Sequence, residues 1–600
     1  MTQSVADYFR HLGFRHAWSV DFEFVAHPGH KPVVVCMVAQ CAITGEIIDL
    51  WGEELKRCPF TCGDDELFIA YYASAESSCF DVLGWPRPCR VLDLFAEFRR
   101  ITNGVGSKFG NGLVGALLHF GLNTIGSEKK DAMRDLVMRG GPWSADERIA
   151  ILAYCKSDVE AVLRLLEPLL ASVGCKVAEF GRALLRGHYM ASAGIVENNG
   201  IPLDHLLFAR LVRHWPSIKL GLIETVDVEF GVYEGGRFVE ARFDTFLGRN
   251  NIPWPRHPSG RLALDDDTFR QQARAFPIVA PLHELRHTLG QLRLADIAVG
   301  PDGRNRAMLS AFRSKTGRNQ PSNSKFIFGP AVWVRHLIKP GEGRAIAYVD
   351  WSSQEIAIAG ALSGDERLWQ AYESGDPYLA FAKQAGIVPL DATKETHPDE
   401  RQQCKAIVLG VNYGMMPASM AAQSGIHIDR ARELLRLHKA TYRTFWQWAE
   451  NNVDRALMGL PLMTVFGWRI YYPHGLGLEL NERSLLNWPM QSHGAEMMRL
   501  AVAMAIEAGL MICAPIHDAL LLEAPFDEID PQASRLANIM AQASELVLGQ
   551  GKRCRTDVKV IRYPDRFEDE KRGAKMFAIV MELLEKAEAE ADAFKGLTPA

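Results

Sequence analysis

Residues 513–522 read Cys-Ala-Pro-Ile-His-Asp-Ala-Leu-Leu-Leu, two apolar runs interrupted by His517 and Asp518. Short apolar runs broken at one polar pair fit two buried strands joined by a bend, with the pair at its tip. A carboxylate at that tip would face a cleft beyond the end of a sheet. Alone, a His-Asp pair is usually just a turn. Its weight comes from what precedes it in the chain.

Residues 345–349 form an apolar strand pattern that delivers Asp350 at its end, followed by Trp-Ser-Ser-Gln-Glu355 and an apolar-striped helix. As a single residue Asp350 reads as a helix N-cap sooner than as a ligand, and Glu355 is expected one helical turn inside. Farther on, Arg401, Lys405, Leu409 and Tyr413 recur every four residues, which places them along one helix face. Two cations can neutralise a triphosphate while the aliphatic and aromatic ends pack on sugar and base. An exposed charged helix shows the same stripe, so the stripe gains meaning from its place between the strand-end Asp350 and the His517-Asp518 bend.

The front of the chain has a second carboxylate pattern. From 18 to 24, Trp18, Val20, Phe22 and Phe24 share one strand face, and Asp21 and Glu23 the other. Two such oxygens can hold a divalent cation, although the solvated side of any amphipathic strand looks alike. Tyr154 and Asp158, at i and i+4, share a helix face. Further strands are expected near 32–41 and 90–94, with helices dominating 112–170, so residues 1–175 read as one α/β unit. From 176 to 340 the pattern is mostly helical, punctuated by turn-forming Gly, Pro and Asn in NNGIPLD, GRNNIPWPRHPSG and VGPDGRNR.

The 600 residues carry a net charge of −5, with 48% hydrophobic and 23% charged side chains, enough for several cores in an α/β multidomain protein. No apolar run approaches a membrane span of about 18 residues, and the first residues lack a signal-peptide pattern, so a cytoplasmic location and no membrane are expected. Eleven scattered cysteines fit a chain with reduced thiols, and Cys58, Cys62, Cys79 and Cys89 read as structural thiols in preference to a zinc set. Between 286 and 318 seven Lys/Arg face only Asp296 and Asp302, a local patch that phosphates could use despite the negative total.

Taken jointly, the strand-end Asp350, the 401–413 helix and the His517-Asp518 bend resemble motifs A, B and C of family A DNA polymerases. The resemblance extends to Thr316-Gly317-Arg318, the run 467–473, and Arg483, Asn487 and Gln491. The nearest likeness is to phage- or prophage-type, DNA polymerase I-like members. Asp21, Glu23, Tyr154 and Asp158 resemble motifs I and III of DEDD-type 3′–5′ exonucleases. The second motif departs from that family. Residues 70–85 read AYYASAESSCFDVLGW, and Glu76, at the expected helix start, is chosen over Asp81.

The resemblance implies an RNase H-like exonuclease domain (1–175), a linker and thumb-like helical region (176–340), palm (341–364), fingers (365–460), and a second part of the palm with a C-terminal helix (461–600). It implies two Mg2+ per active site, with Mn2+ able to replace them: Asp350 and Asp518 as ligands in the palm, and Asp21, Glu23, Glu76 and Asp158 in the exonuclease, where Tyr154 orients water. Arg401 and Lys405 would grip phosphates, with Lys405 also the donor to the leaving group. Glu355 would block a ribose 2′ hydroxyl. Leu409 would lie at the sugar and Tyr413 beside the templating base. Arg318, His517, Arg483, Asn487 and Gln491 would lie along primer and template. The implied partners are primer–template DNA and deoxynucleoside triphosphates, with a helicase or processivity factor left open. Three departures stand out: Leu409 replaces an aromatic, Ala519 replaces a glutamate after Asp518, and the order Ser-Ser-Gln-Glu with Ala357 differs in motif A. A single-subunit RNA polymerase shares the palm plan, but Glu355 and the exonuclease-like front argue against it. A silent DNA-binding scaffold is countered by Asp350, Asp518, Arg401 and Lys405 occurring together.

Overall fold

A computed structural model describes residues 4–123, 127–174, 177–291, 294–412, 414–472, 482–569 and 573–596. The front unit is built on five strands: β1 (His16–Val25), β2 (Val33–Cys41), β3 (Ile47–Trp51), β4 (Glu66–Ala70) and β5 (Arg90–Asp93). Their order is β3-β2-β1-β4-β5, with β1 antiparallel to β2 and parallel to β4. The alternation in β1 has the expected result, since Trp18, Val20 and Phe22 are buried while Asp21 and Glu23 stay partly open. Helices flank this sheet, among them α1 (Ser74–Val82), α2 (Leu94–Thr102), α3 (Ser127–Met138), α4 (Ala145–Val173) and α5 (Val177–Asn199).

Helix α5 touches both halves of the molecule. It packs on α1 and β5 of the front unit, and also on the long helix and first hairpin strand of the second sheet described below. Two glycines permit this approach. A Cβ at Gly187 would lie 2.0 Å from the Val91 carbonyl oxygen, and one at Gly194 would lie 2.2 Å from that of Ser74. Buried charge secures the contact: Arg186 on α5 grips Glu97 on α2 through two bonds of 2.5 and 3.0 Å, and donates to the Phe466 carbonyl at 2.9 Å. Arg100 on α2 donates to Glu179 at 2.5 Å and to the Gly467 carbonyl at 2.8 Å.

After α6 (His205–Asp227) and smaller helices, the chain enters a four-stranded antiparallel sheet through β6 (Arg344–Trp351). Then come α7 (Gln354–Ser363) and the helices of a largely helical segment, among them α8 (Pro377–Gln384), α9 (Pro398–Asn412), α10 (Ile428–Thr441) and α11 (Arg443–Leu457). The long α12 (Glu482–Glu507) returns to the sheet, which is completed by β7 (Met511–Ile516), β8 (Ala519–Pro525), α13 (Ile529–Leu548) and β9 (Thr556–Arg562). Its order is β7-β8-β6-β9. Ala345, Ala347 and Val349 pack inward with Trp351, so Tyr348 and Asp350 lie on the opposite, less buried face. The final helix, α14 (Ala574–Gly596), packs on α6.

Glu97 and Arg186 are 1% and 2% exposed. Removing one partner of such a pair strands charge away from water, so Glu97→Ala should destabilise the protein by about 3–5 kcal/mol in urea denaturation. His438, equally buried, accepts a hydrogen bond on Nδ1 from the Trp446 indole at 3.1 Å, and burial pushes its pKa down to about 3. The unfolded chain would bind a proton there near pH 6.5, so this contribution to stability is present above that pH and is lost as pH falls toward about 3. Unfolding midpoints measured between pH 7 and 4 should fall less steeply in His438→Gln than in the wild type.

Candidate active sites

Ile516 pairs with Ala519 across a two-residue turn made of His517 and Asp518. The backbone φ of His517 is +52°, and Asp518 is not in the left-handed region. A positive φ at the first turn residue alone is type II′ geometry, which favours glycine; a histidine there is held against that preference by its surroundings. The turn sets Asp518 beside β6, where the Trp351 amide donates to the Asp518 carbonyl at 3.1 Å. In register, Asp350 lies opposite Ala519 on β8 and opposite Asp557 on β9. Asp350 is therefore a strand residue; the helix that follows begins at Gln354, so Glu355 falls in its first turn.

Burial, then the charges of Asp518 and Asp557, push the Asp350 carboxyl up to about 7. The Asp518 carboxyl is also raised by burial, against the opposing charges of Arg318 and His517. Oδ1 of Asp350 is buried with no hydrogen-bond partner among the described residues. Clustered, desolvated carboxylates with an unsatisfied oxygen suit a hard divalent cation.

Arg318 is directed here by its backbone. The Lys315 carbonyl accepts from Asn103 at 2.7 Å, from Trp488 at 3.0 Å and from Trp468 at 3.2 Å, while Arg499 donates to the Gly317 carbonyl at 2.7 Å. Arg318 and His517 then line one cavity of about 220 Å³. On α12, Arg483 is exposed, Asn487 and Gln491 are half-buried, and the buried Oδ1 of Asn487 has no partner among the described residues.

Tyr378 links β6 to the cationic helix. It is hydrogen-bonded to Ser353 and lies in the fields of Glu355, Arg401 and Asp376. Arg401 and Lys405 of α9 sit 5.5 and 5.7 Å from its ring. Arg401 donates to Asp376 at 2.5 Å, a partner that the four-residue stripe gives no hint of. Leu409 is half-buried on the same helix; Tyr413 lies outside the described residues.

In the front unit, Asp21, Glu23, Tyr154 and Asp158 line one cavity of about 610 Å³. Burial and mutual repulsion push Asp21 up to about 8 and Glu23 to about 9. The Cys155 thiol joins their oxygens in the one metal-capable cluster found among the described residues, all ligand atoms lying within 4.8 Å of one another. Lys130 of α3 donates to Asp158 at 2.6 Å. Glu76, in the first turn of α1, is close enough to Asp21 to feel its charge, but it lines a separate small void with Ala73, Phe80 and Val91, and its buried Oε2 is unpartnered among the described residues. Asp81 accepts from Asn198 at 3.0 Å. Of the four cysteines weighed as a zinc set, Cys58 and Cys62 interact, whereas Cys79 lies beside Glu76. Sequence reasoning missed Lys130, Cys155 and Asp557; Cys155 alone had a signal, its place directly after Tyr154 on the same helix.

Residues 329–560 match the family model described as DNA polymerase family A. That stretch is a family A DNA polymerase domain. DNA polymerase I of Chloroflexus aurantiacus is 25% identical over 451 residues, 69% of this chain and 47% of that protein. The thermostable DNA polymerase I of Thermus aquaticus is 26% identical over 303 residues, 47% of this chain and 36% of its own length. The chain thus spans about half, or less, of the curated relatives it matches. In architecture it is similar to the POL domain of Pol1 from M. smegmatis, solved in complex with DNA primer-template and dNTP, with a TM-score of 0.68 at 19% identity, covering 94% of this chain and 98% of that one. That likeness shows a shared fold, which reaches well beyond the family A domain into the front unit. No helix among the described residues is long and apolar enough to cross a membrane.

Because the Lys130 ammonium neutralises Asp158, it competes with any cation in the front cavity. In a chain whose second carboxylate group is removed by Asp350→Asn and Asp518→Asn, Lys130→Met should tighten Mn2+ binding about tenfold, read by electron paramagnetic resonance of the free ion. Weaker binding would mean that Lys130 supports the site.

Proposed function

We propose that this chain is a template-directed DNA polymerase that adds deoxynucleotides to a primer 3′ hydroxyl in the cytoplasm, and that its front unit removes mismatched primer ends. The observation that carries the first reading is the meeting of Asp350 and Asp518 at adjacent strand ends within the family A domain, with the Arg401–Lys405 helix joined to β6 through Tyr378 and Ser353. The similar Pol1 domain, solved with a DNA primer-template and dNTP, supports the same substrates here.

Mg2+ held by Asp350 and Asp518, or Mn2+ in its place, would supply activation of the primer hydroxyl and charge neutralisation at the triphosphate. The protein's own part is positioning. Lys405 and Arg401, once Arg401 leaves Asp376, neutralise phosphate oxygens, and Lys405 has a transferable proton for the departing pyrophosphate. Glu355 occupies the space a 2′ hydroxyl would need, while Leu409 offers the sugar an aliphatic surface without an aromatic ring. Tyr413 is assigned to the templating base by resemblance alone. Arg318, His517, Arg483, Asn487 and Gln491 hold primer and template.

In the front unit Asp21, Glu23 and Asp158 share a cavity with Tyr154, which is placed to orient a water, whereas Glu76 would have to turn out of its apolar void to join them. The working division is exonuclease 1–175, thumb-like 176–340, palm 341–364 with 461–600, and fingers 365–460. The helix α5 just after the first boundary serves both neighbours.

Extension of a labelled primer on a DNA template tests the first reading. Wild type should extend with deoxyribonucleotides only, and Asp518→Ala should be slower by about a thousandfold, roughly 4 kcal/mol of lost transition-state stabilisation. Full activity in Asp518→Ala would sink it. Asp21→Ala should abolish removal of a mismatched 3′ end while extension persists, and unchanged removal would overturn the front-site assignment.

A further inference from the structure

Asp350 has two cross-strand neighbours, and they differ in the one respect that matters. Ala519 on β8 faces it from one side and Asp557 on β9 from the other, both in direct register. The family resemblance leads one to expect a third carboxylate immediately after Asp518, and that position holds a buried alanine. Directly opposite residues of an antiparallel pair project from the same sheet face with Cβ atoms about 4.5–5.5 Å apart, so the exposed Asp557 shares a face with Asp350 and its charge acts on it, while the oxygens of Asp350, Asp518 and Asp557 stand farther apart than those of the front cluster and would be drawn together by an ion.

Two further observations bear on what that carboxylate does. Like charges directly opposite one another destabilise a sheet, yet this sheet pairs two aspartates and sets Asp518 at the adjoining hairpin tip. Among the described residues no ion pair reaches Asp350, Asp518 or Asp557, and the charges of Arg318 and His517 act on Asp518 without such contact. Meanwhile the buried Oδ1 of Asp350 is left without a hydrogen bond among the described residues. Asp557 is itself oriented. Its Oδ2 accepts from the Ser352 hydroxyl at 2.6 Å, and Ser352 follows Asp350 by two residues, which ties the edge strand to the start of the motif. If Asp557 served only to anchor Ser352, a neutral side chain would do so without setting charge against charge.

We propose that Asp557 is the third carboxylate of the palm, holding the divalent cation with Asp350 and Asp518, its role displaced from the strand on one side of β6 to the strand on the other. The inference rests on the polymerase reading for its function, but its chemistry is that of metal binding and can be measured without turnover.

The experiment uses the full chain with the front cavity silenced by Asp21→Ala and Glu23→Ala, and Mn2+ as the probe. Electron paramagnetic resonance should show Asp557→Asn weakening palm Mn2+ binding about tenfold, the scale expected for loss of one group supporting a metal. Asp527→Asn, an exposed change elsewhere, should leave binding unaltered. In primer extension, Asp557→Asn should raise the Mg2+ concentration giving half-maximal rate by a similar factor, with the rate at saturating Mg2+ much less affected. Adding Ala519→Glu to Asp557→Asn, which returns a carboxylate to the other flank of Asp350, should recover part of the lost affinity. Wild-type Mn2+ affinity in Asp557→Asn would overturn the proposal, and so would a loss of rate that saturating Mg2+ leaves in place. If the wild type extends primers and Asp557→Asn binds Mn2+ normally, this inference fails alone. If the wild type extends nothing while Asp557→Asn still loses Mn2+, the polymerase reading fails and the metal-binding role of Asp557 stands.

Discussion

Everything at the centre of this molecule depends on crowding carboxylates together where partial burial weakens the screening by water. Asp350 and Asp518 gain nothing from each other's company, since each raises the energy of its neighbour's ionised form. Strand pairing overrides their repulsion: β6 sits between β8 and β9, its register fixed over the strand's length, and the hairpin has only two residues with which to place Asp518. The buried Ala345, Ala347, Val349 and Trp351 behind β6 prevent a one-residue slip, which would send the aspartate into the core. The positive φ at His517 belongs to the same arrangement, a local cost accepted so that the next residue points into the cleft.

The surrounding cations are held in reserve. Arg401 rests on Asp376 and Lys405 sits by Tyr378, so on the proposed reading the phosphate-binding groups are partnered before any phosphate arrives. On that reading a triphosphate, with more negative charge than one aspartate, would displace Asp376 from Arg401. In the front cavity Lys130 already sits on Asp158, so that site meets a cation with one of its own in place.

Much of this was legible in the residues. Strict alternation exposed β1, and the apolar runs around His517-Asp518 exposed the hairpin, because both patterns are local and are imposed by burial on one face. Strands β3 and β4 escaped notice, the first with little contrast between its faces and the second five buried residues with no alternation to read. Asp350 taken alone looked like a cap, since nothing local says that the strand continues through Trp351. The partners of the site residues were hidden for a different reason. Asp557 lies more than two hundred residues after Asp350, Asp376 lies a loop and a helix before Arg401, and Lys130 is on a helix with no other claim to function. Sequence patterns report which face a residue occupies; they do not report which distant residue shares it. Glu76 shows the limit from the other side, a carboxylate at a helix start as expected, yet facing an apolar void.

Helix α5 is common property. With Gly187 against β5, Gly194 against α1, and its other flank on α12 and β7, it cannot be assigned to one half without stripping the other. A chain cut near residue 176 would keep α5 but bare the face it turns to α1 and β5, leaving a surface prone to stick to its own kind. The front unit is thus a structural dependency of the four-stranded sheet and its helices, whatever chemistry it performs. Descendants of such a protein could change the carboxylates of the front cavity one at a time, but they would have to go on carrying the unit around them.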